Sequence, residues 1–281
     1  MRQLRGRVAI VTGASRGIGV HIASALAAEG VDLALAARSA QELESVRASI
    51  EARGVRCIAV VTDVTDQGQL EELVRRCEAE LGPVDLLVNN AGIEKAAAYE
   101  ELSTEDIDRF IDVNLRAPMH LTRLVLPGFV ARNRGHVVNI SSIAGLAATA
   151  YGESYNATKH GVVGFTRALR ASEQVSGSDV SASVICPGFV SDVGMYAGFR
   201  ADGASRAPVL LGTSSPQTVA KAVIRAIKKD LPEVVVNPGP MKLFLAVSLV
   251  FPRFGEWVSS LIGAHDVFSS TAKARGTSRK G

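Results

Sequence analysis

The sequence predicts an α/β protein built as a doubly wound parallel sheet, and three observations carry that prediction. Short apolar runs alternate with longer segments of helical periodicity along most of the chain. The first run passes straight into a glycine-rich turn, Gly13-Ala14-Ser15-Arg16-Gly17-Ile18-Gly19, that opens a helix. Near the middle, the apolar stretch 137–140 leads through Ser142 to Tyr155 and Lys159, whose spacing of four puts both on one helix face.

Bulk composition narrows the classes. The 281 residues are 47% hydrophobic and 21% charged, enough to bury a core in one large domain. A formal charge of +3, dispersed except for Lys273, Arg275, Arg279 and Lys280, argues against a nucleic-acid partner. Cys57, Cys77 and Cys186 lie far apart, and no signal-peptide pattern is visible, so a reduced cytoplasmic setting is expected. No CxxC or HxxxH spacing offers a metal site.

Taken in order, strand 7–12 delivers the glycine turn and a helix runs through 21–29. Backbone N–H groups of such a turn approach a pyrophosphate, over the positive end of the helix. The expected contacts are Gly13, Ser15, Arg16, Gly17, Ile18 and Gly19. Strand 31–37 ends in Ala37-Arg38-Ser39, where an NAD-preferring fold would carry an acid. Arg16 and Arg38 are placed to grip a 2′-phosphate instead, which favours NADP(H), with NAD(H) as the alternative if both are plain surface arginines.

A helix over 40–53 and the strand Cys57–Val61 lead to Asp63 and Val64. Asp63 at that edge is suited to accept from an adenine amino group, with the Val64 N–H nearby; it equally suits a turn before a helix over 66–81. Strand 84–88 ends in Asn89-Asn90-Ala91-Gly92, small enough for the backbone to pass a ribose, with asparagines to tie neighbouring strands. A long helix is expected over 104–130, capped by Ser103 or Thr104. Asn114 in its middle is a poor helix former, expected to bend it and free a carbonyl to hold a water.

Together these pieces resemble the short-chain dehydrogenase/reductase family in its single-domain form. The matching residues are Thr12 to Gly19, Asp63-Val64, Asn89 to Gly92, Asn114, Ser142, Tyr155-Asn156-Ala157-Thr158-Lys159 and Pro187-Gly188, in the family's order. The resemblance implies a seven-stranded Rossmann sheet in the order 3-2-1-4-5-6-7, helices on both faces, and a homodimer or homotetramer. It implies Tyr155 as general acid/base, Ser142 bonded to the substrate oxygen, Lys159 on the nicotinamide ribose, and Asn114 holding a water behind Lys159. A tyrosine has a pKa near 10. One positive charge at about 4 Å, at an effective dielectric of about 20, contributes on the order of 4 kcal/mol. That is enough to bring Tyr155 to about 7.

The pattern departs after strand 180–185. The family's threonine beyond Pro187-Gly188 is missing, and Ser191, next to Val190, is the expected stand-in at the nicotinamide carboxamide. Glycines around Met195, Tyr196 and Phe199 suit a lid over 188–215. Tyr151, Met195 and Phe199 are expected to line an apolar mouth, hence a lipophilic secondary alcohol or ketone. Pro216–Lys229 reads as a helix and 233–237 as the seventh strand, closing a domain over 1–240.

An apolar arm follows at 241–262, too short to span a bilayer. It reads as a helix buried over the cleft or in a subunit interface, or as a peripheral membrane contact. The polar, basic stretch 263–281 is expected to be disordered. Two other functions stay in view. A silent cofactor-binding regulator would be free to lose one of Asn114, Ser142, Tyr155 and Lys159. An epimerase or dehydratase using bound NAD would carry an acid after the second strand.

Overall fold

The structure, a computed structural model, describes residues 3–208, 211–239, 241–274 and 276. Seven strands make one parallel sheet: β1 (Val8–Thr12), β2 (Asp32–Ala37), β3 (Cys57–Val61), β4 (Leu86–Asn89), β5 (Gly135–Ile140), β6 (Val180–Pro187) and β7 (Glu233–Val236). Their order, β3-β2-β1-β4-β5-β6-β7, is the one the resemblance implied. The chain winds outward from β1 to β3, then returns to β4 and winds the other way. The crevice above the C-terminal ends of β1 and β4 is therefore the topological switch point, where open α/β sheets bind ligands.

Between and after the strands come α1 (Ile18–Ala28), α2 (Ala40–Glu51), α3 (Gln67–Glu80), α4 (Thr104–Ile111), α5 (Ala117–Ala131), α6 (Glu153–Val175), α7 (Gly194–Ala201), α8 (Pro216–Lys229), α9 (Met241–Val250), α10 (Pro252–Leu261) and α11 (Asp266–Ala274). Alternation along β1 shows how the sheet is buried on both faces. Ala9 and Val11 pack with Ile22 and Leu26 of α1 and Val223 and Ile227 of α8. Val8 and Ile10 pack with Leu70 and Leu73 of α3 and Leu121 and Phe129 of α5. Each valine, leucine, isoleucine or phenylalanine among them contributes roughly 1.5–3 kcal/mol by leaving water. Strand β5 begins at Gly135, two residues before its apolar run. A Cβ there would fall 2.1 Å from the Phe129 ring, so only glycine lets α5 close onto the strand.

Two expectations need correction. The helix proposed over 104–130 is interrupted by a π-helical turn, Asp112–Arg116, because Asn114 is drawn off the helix axis to hydrogen-bond elsewhere. The stretch from Gly263 is not disordered where it is described: α11 buries Val267, Phe268, Thr271 and Ala272 on one face, against Phe199 of α7. Residues 275 and 277–281 of that stretch lie outside the described residues. The arm forms two helices divided at Phe251-Pro252, with Leu243, Leu249 and Leu261 70–83% exposed.

His136 in β5 is buried, with Nε2 2.8 Å from the Ser183 hydroxyl on β6. Burial pushes its pKa from 6.5 down to about 3, against the pull of the Asp230 carboxylate. The folded protein thus binds fewer protons here than the unfolded chain between those values. Stability from this group is complete above pH 6.5 and is lost as pH falls toward 3. The loss should reach about 1.4 kcal/mol per pH unit. His136→Asn should flatten that limb of a denaturation-against-pH curve; an unchanged slope would assign the acid sensitivity to other groups.

Candidate active site

Strand β5 carries Ser141 and Ser142 just past its C-terminal end, and α6 lays Tyr155 and Lys159 beside them, one turn apart. The Ser141 hydroxyl donates to the Lys159 carbonyl at 3.0 Å, tying helix to strand. Gly145 is squeezed between the same two groups: a Cβ would fall 2.5 Å from Ser141 Oγ. Lys159 Nζ donates to the Ile140 carbonyl at 3.0 Å and lies 5.5 Å from the Tyr155 ring centroid. Ser142 Oγ accepts from the Ala144 N–H at 3.1 Å. Asn114 sits behind this group, buried. Its Oδ1 accepts from the Ile93 N–H at 2.8 Å, and its Nδ2 donates to the Ile93 carbonyl at 2.9 Å and to Thr158 Oγ1 at 3.3 Å. The side chain thus clamps the segment after β4 against α6, and the π turn is what lets it reach.

Burial dominates the electrostatics. It pushes the Tyr155 phenol well above its ordinary value, the Glu94 carboxylate adds to that, and a hydrogen bond with Ser142 works the other way. Burial also pulls Lys159 from 10.5 down to about 8, with Glu94 opposing. The expectation of a tyrosine near 7 is therefore not met by this arrangement. Desolvating the phenolate costs more than the arithmetic allowed, and the ammonium that was to stabilise it is itself weakened.

The other half of the cleft is formed by the glycine turn and the N-terminus of α1. Gly13 and Gly17 both have φ of +64°, which disfavours other residues. A Cβ on Gly19 would fall 2.2 Å from the Gly13 carbonyl oxygen, so that glycine serves loop closure. Gly17 caps α1 without any side-chain hydrogen bond, leaving the helix N-terminus to a ligand. Thr12 Oγ1 accepts from the N–H groups of Asn90 and Ala91 at 3.0 and 3.1 Å, and Asn90 Nδ2 donates to the carbonyls of Thr12 and Gly13. Asn89 Nδ2 donates to Asn139 Oδ1 at 2.8 Å, tying β4 to β5. Burial raises the Asp63 pKa, but hydrogen bonds from Thr65 and the charges of Arg38 and Arg109 outweigh it and hold the carboxyl below its ordinary value. Asp63 makes the turn with Thr65, while Asp66 caps α3.

One cleft of about 1620 Å³ joins both halves. Its wall includes Gly13, Ser15, Arg16, Gly17, Ile18, Arg38, Asp63, Val64, Asn90, Ala91, Gly92, Ser142, Tyr155, Lys159, Pro187, Gly188, Val190, Met195 and Phe199. Four expected residues stand off that wall. Gly19 and Asn114 lie behind it, as described. Ser191 turns into a backbone pairing with Ser214, its N–H donating to that carbonyl at 3.0 Å. Tyr151, at φ +60°, packs with the aromatic cluster of Phe189, Phe199 and Phe268.

The family model for short chain dehydrogenases matches residues 7–203. The ketoacyl reductase HetN of Nostoc sp. (strain PCC 7120) is 39% identical over 280 residues, 98% of this chain and 96% of its own. The chain belongs to the short-chain dehydrogenase/reductase family. Two solved members of that family's fold agree with it. A short chain dehydrogenase/reductase from Burkholderia phymatum in complex with NAD aligns at TM-score 0.76 and 30% identity, covering 84% of this chain and 90% of that one. A variant actinorhodin polyketide ketoreductase with NADPH aligns at 0.73 and 30% identity, covering 84% and 97%.

In this short-chain dehydrogenase/reductase, several residues beyond the expected site set shape the cleft. Arg109 of α4 adds a second cationic influence on Asp63 beside Arg38. Glu94 acts on both Tyr155 and Lys159, whereas its neighbour Lys95 is paired with Asp106 at 2.6 Å. Phe244, Ile262 and Phe268 reach the wall from the C-terminal helices. Phe244 and Ile262 belong to the apolar arm expected over the cleft, whereas Phe268 lies in the stretch expected to be disordered.

Proposed function

We propose that this oxidoreductase uses NADPH to reduce a lipophilic ketone to a secondary alcohol. The observation that carries the reading is the meeting of Ser142, Tyr155 and Lys159 in one continuous cleft with the glycine-turn cradle. The cradle fits a dinucleotide by its two positive-φ glycines and the uncapped α1, and Arg16 and Arg38 with the N-terminus of α2 would hold a 2′-phosphate. When bound, the reduced nicotinamide of the dinucleotide would supply hydride to the carbonyl carbon. Tyr155, kept protonated by burial, donates its proton to the ketone oxygen, and the Ser142 hydroxyl donates a hydrogen bond to the same atom as charge develops. Lys159 orients the phenol from beneath, and Asn114 fixes the segment that faces it.

The wall around this point supports a neutral, apolar substrate. Ile143, Ala147, Phe189, Met195, Phe244 and Phe268 contribute carbon surface. The Glu94 carboxylate disfavours an anionic group near Tyr155, which weighs against a short keto acid. The test is a screen in both directions with both nicotinamide cofactors, across ketones and alcohols of rising chain length and ring count. NADPH-dependent reduction should lead, with kcat/KM rising with apolar size. A profile led by NADH, or flat with size, would remove the cofactor or the substrate half of the proposal.

A further inference from the structure

Helices α9 and α10 fold as a hairpin, closed where Gly255 seats on Ser248: a Cβ on that glycine would fall 2.6 Å from the serine's own Cβ. One side of the hairpin belongs to the cleft, through Met241, Phe244, Ser259 and Ile262. The opposite side carries Leu243, Leu249, Val250, Phe251, Trp257 and Leu261, each at least 60% exposed, with Phe254 stacked 5.9 Å from Trp257. These seven make up more than half of the large hydrophobic side chains exposed among the described residues, so the patch is a concentration and not scatter.

We propose that this outer face docks on the surface of a lipid bilayer rich in anionic headgroups. Charge selects the occupant. From residue 241 onward the sequence holds six basic residues, Lys242, Arg253, Lys273, Arg275, Arg279 and Lys280, against Glu256 and Asp266. That net of +4 exceeds the +3 of the whole chain, so the positive character is concentrated in this segment. The hairpin itself holds Lys242 and Arg253 against Glu256, so a second copy docking isologously would bring two net-positive faces together, whereas an anionic surface complements them. Length sets the geometry. Ten residues per helix make about 15 Å, half of a hydrocarbon core, so the hairpin lies in the interface with Trp257 and the phenylalanines among the headgroups. No described helix is long and apolar enough to cross. Docking in this pose sets the cleft's apolar wall one helix away from the lipid, whichever ketone is reduced there.

Trp257 is the sequence's one tryptophan, so its emission reports the patch alone. The full-length protein is mixed with vesicles of phosphatidylcholine, and with vesicles of phosphatidylcholine and phosphatidylglycerol at a ratio of about 3:1. The expected result is a blue shift of Trp257 and co-sedimentation with the anionic vesicles, at least about ten-fold weaker on the neutral ones and weakened by salt. Leu249→Glu and Phe251→Glu should each lower vesicle affinity about ten-fold or more while leaving the thermal midpoint and dinucleotide binding unchanged. Absence of both shift and sedimentation with wild-type protein overturns the proposal. So does equal binding to the two vesicle types, and so does Leu249→Glu splitting an oligomer whose wild type ignores vesicles, which would assign the face to a second copy.

Discussion

Replacing Tyr155 with phenylalanine is expected to lower kcat by about 10²- to 10⁴-fold, the usual contribution of a positioned proton donor. Dinucleotide affinity should change little, because the ring, its contact with Lys159 and the helix face it belongs to all remain. The substitution removes one hydroxyl from Tyr155, a residue only 6% exposed. Direction matters as well. With Tyr155 as the donor, reduction should use the protonated form that burial and Glu94 favour, and oxidation should first have to lose that proton. Single-turnover rates with dinucleotide binding measured in parallel check this. Retained turnover would sink Tyr155 as the donor.

Arg38→Ala is expected to raise the Kd for NADPH roughly 10- to 150-fold, the loss of a charge-assisted hydrogen bond of about 1.5–3 kcal/mol. NADH binding should move by no more than about two-fold, since the arginine has no charged partner on that nucleotide beyond screened, distant phosphates. Arg38 follows Ala37 at the tip of β2 and lines the cleft beside Ser39, which caps α2 without a side-chain hydrogen bond. Titration of both nucleotides against wild type and variant decides it. Equal losses would mean that the 2′-phosphate is read elsewhere or not at all.

Some of this site was legible before the fold was known. Tyr155 and Lys159 share a face because four residues complete a helical turn, and the glycines mark positive φ because nothing else fits there. The strand order followed once the motifs appeared in sequence. What escaped was set by the assembled walls. Asn114 announced a disturbed helix, but the extra residue of a π turn leaves Val113 and Leu115 apolar in either phase. The pKa of Tyr155 depends on what excludes water around it, which no spacing reveals. Arg109 approaches Asp63 only because α4 crosses there. Ser191 was placed by analogy at the cofactor; it does not line the cleft, and its N–H is given to the Ser214 carbonyl.

The seam between β1 and β4 carries a consequence for how the chain is made. Ala9 pairs with Leu86, and the Val8 N–H meets the Asp85 carboxylate from 77 residues further along. Until Asn90 and Ala91 have been synthesised, the Thr12 hydroxyl lacks the two amides that brace the glycine loop. The nucleotide cradle therefore cannot exist on a nascent chain holding only the first three strands, and ligand captured during translation would report that the sheet's middle has closed.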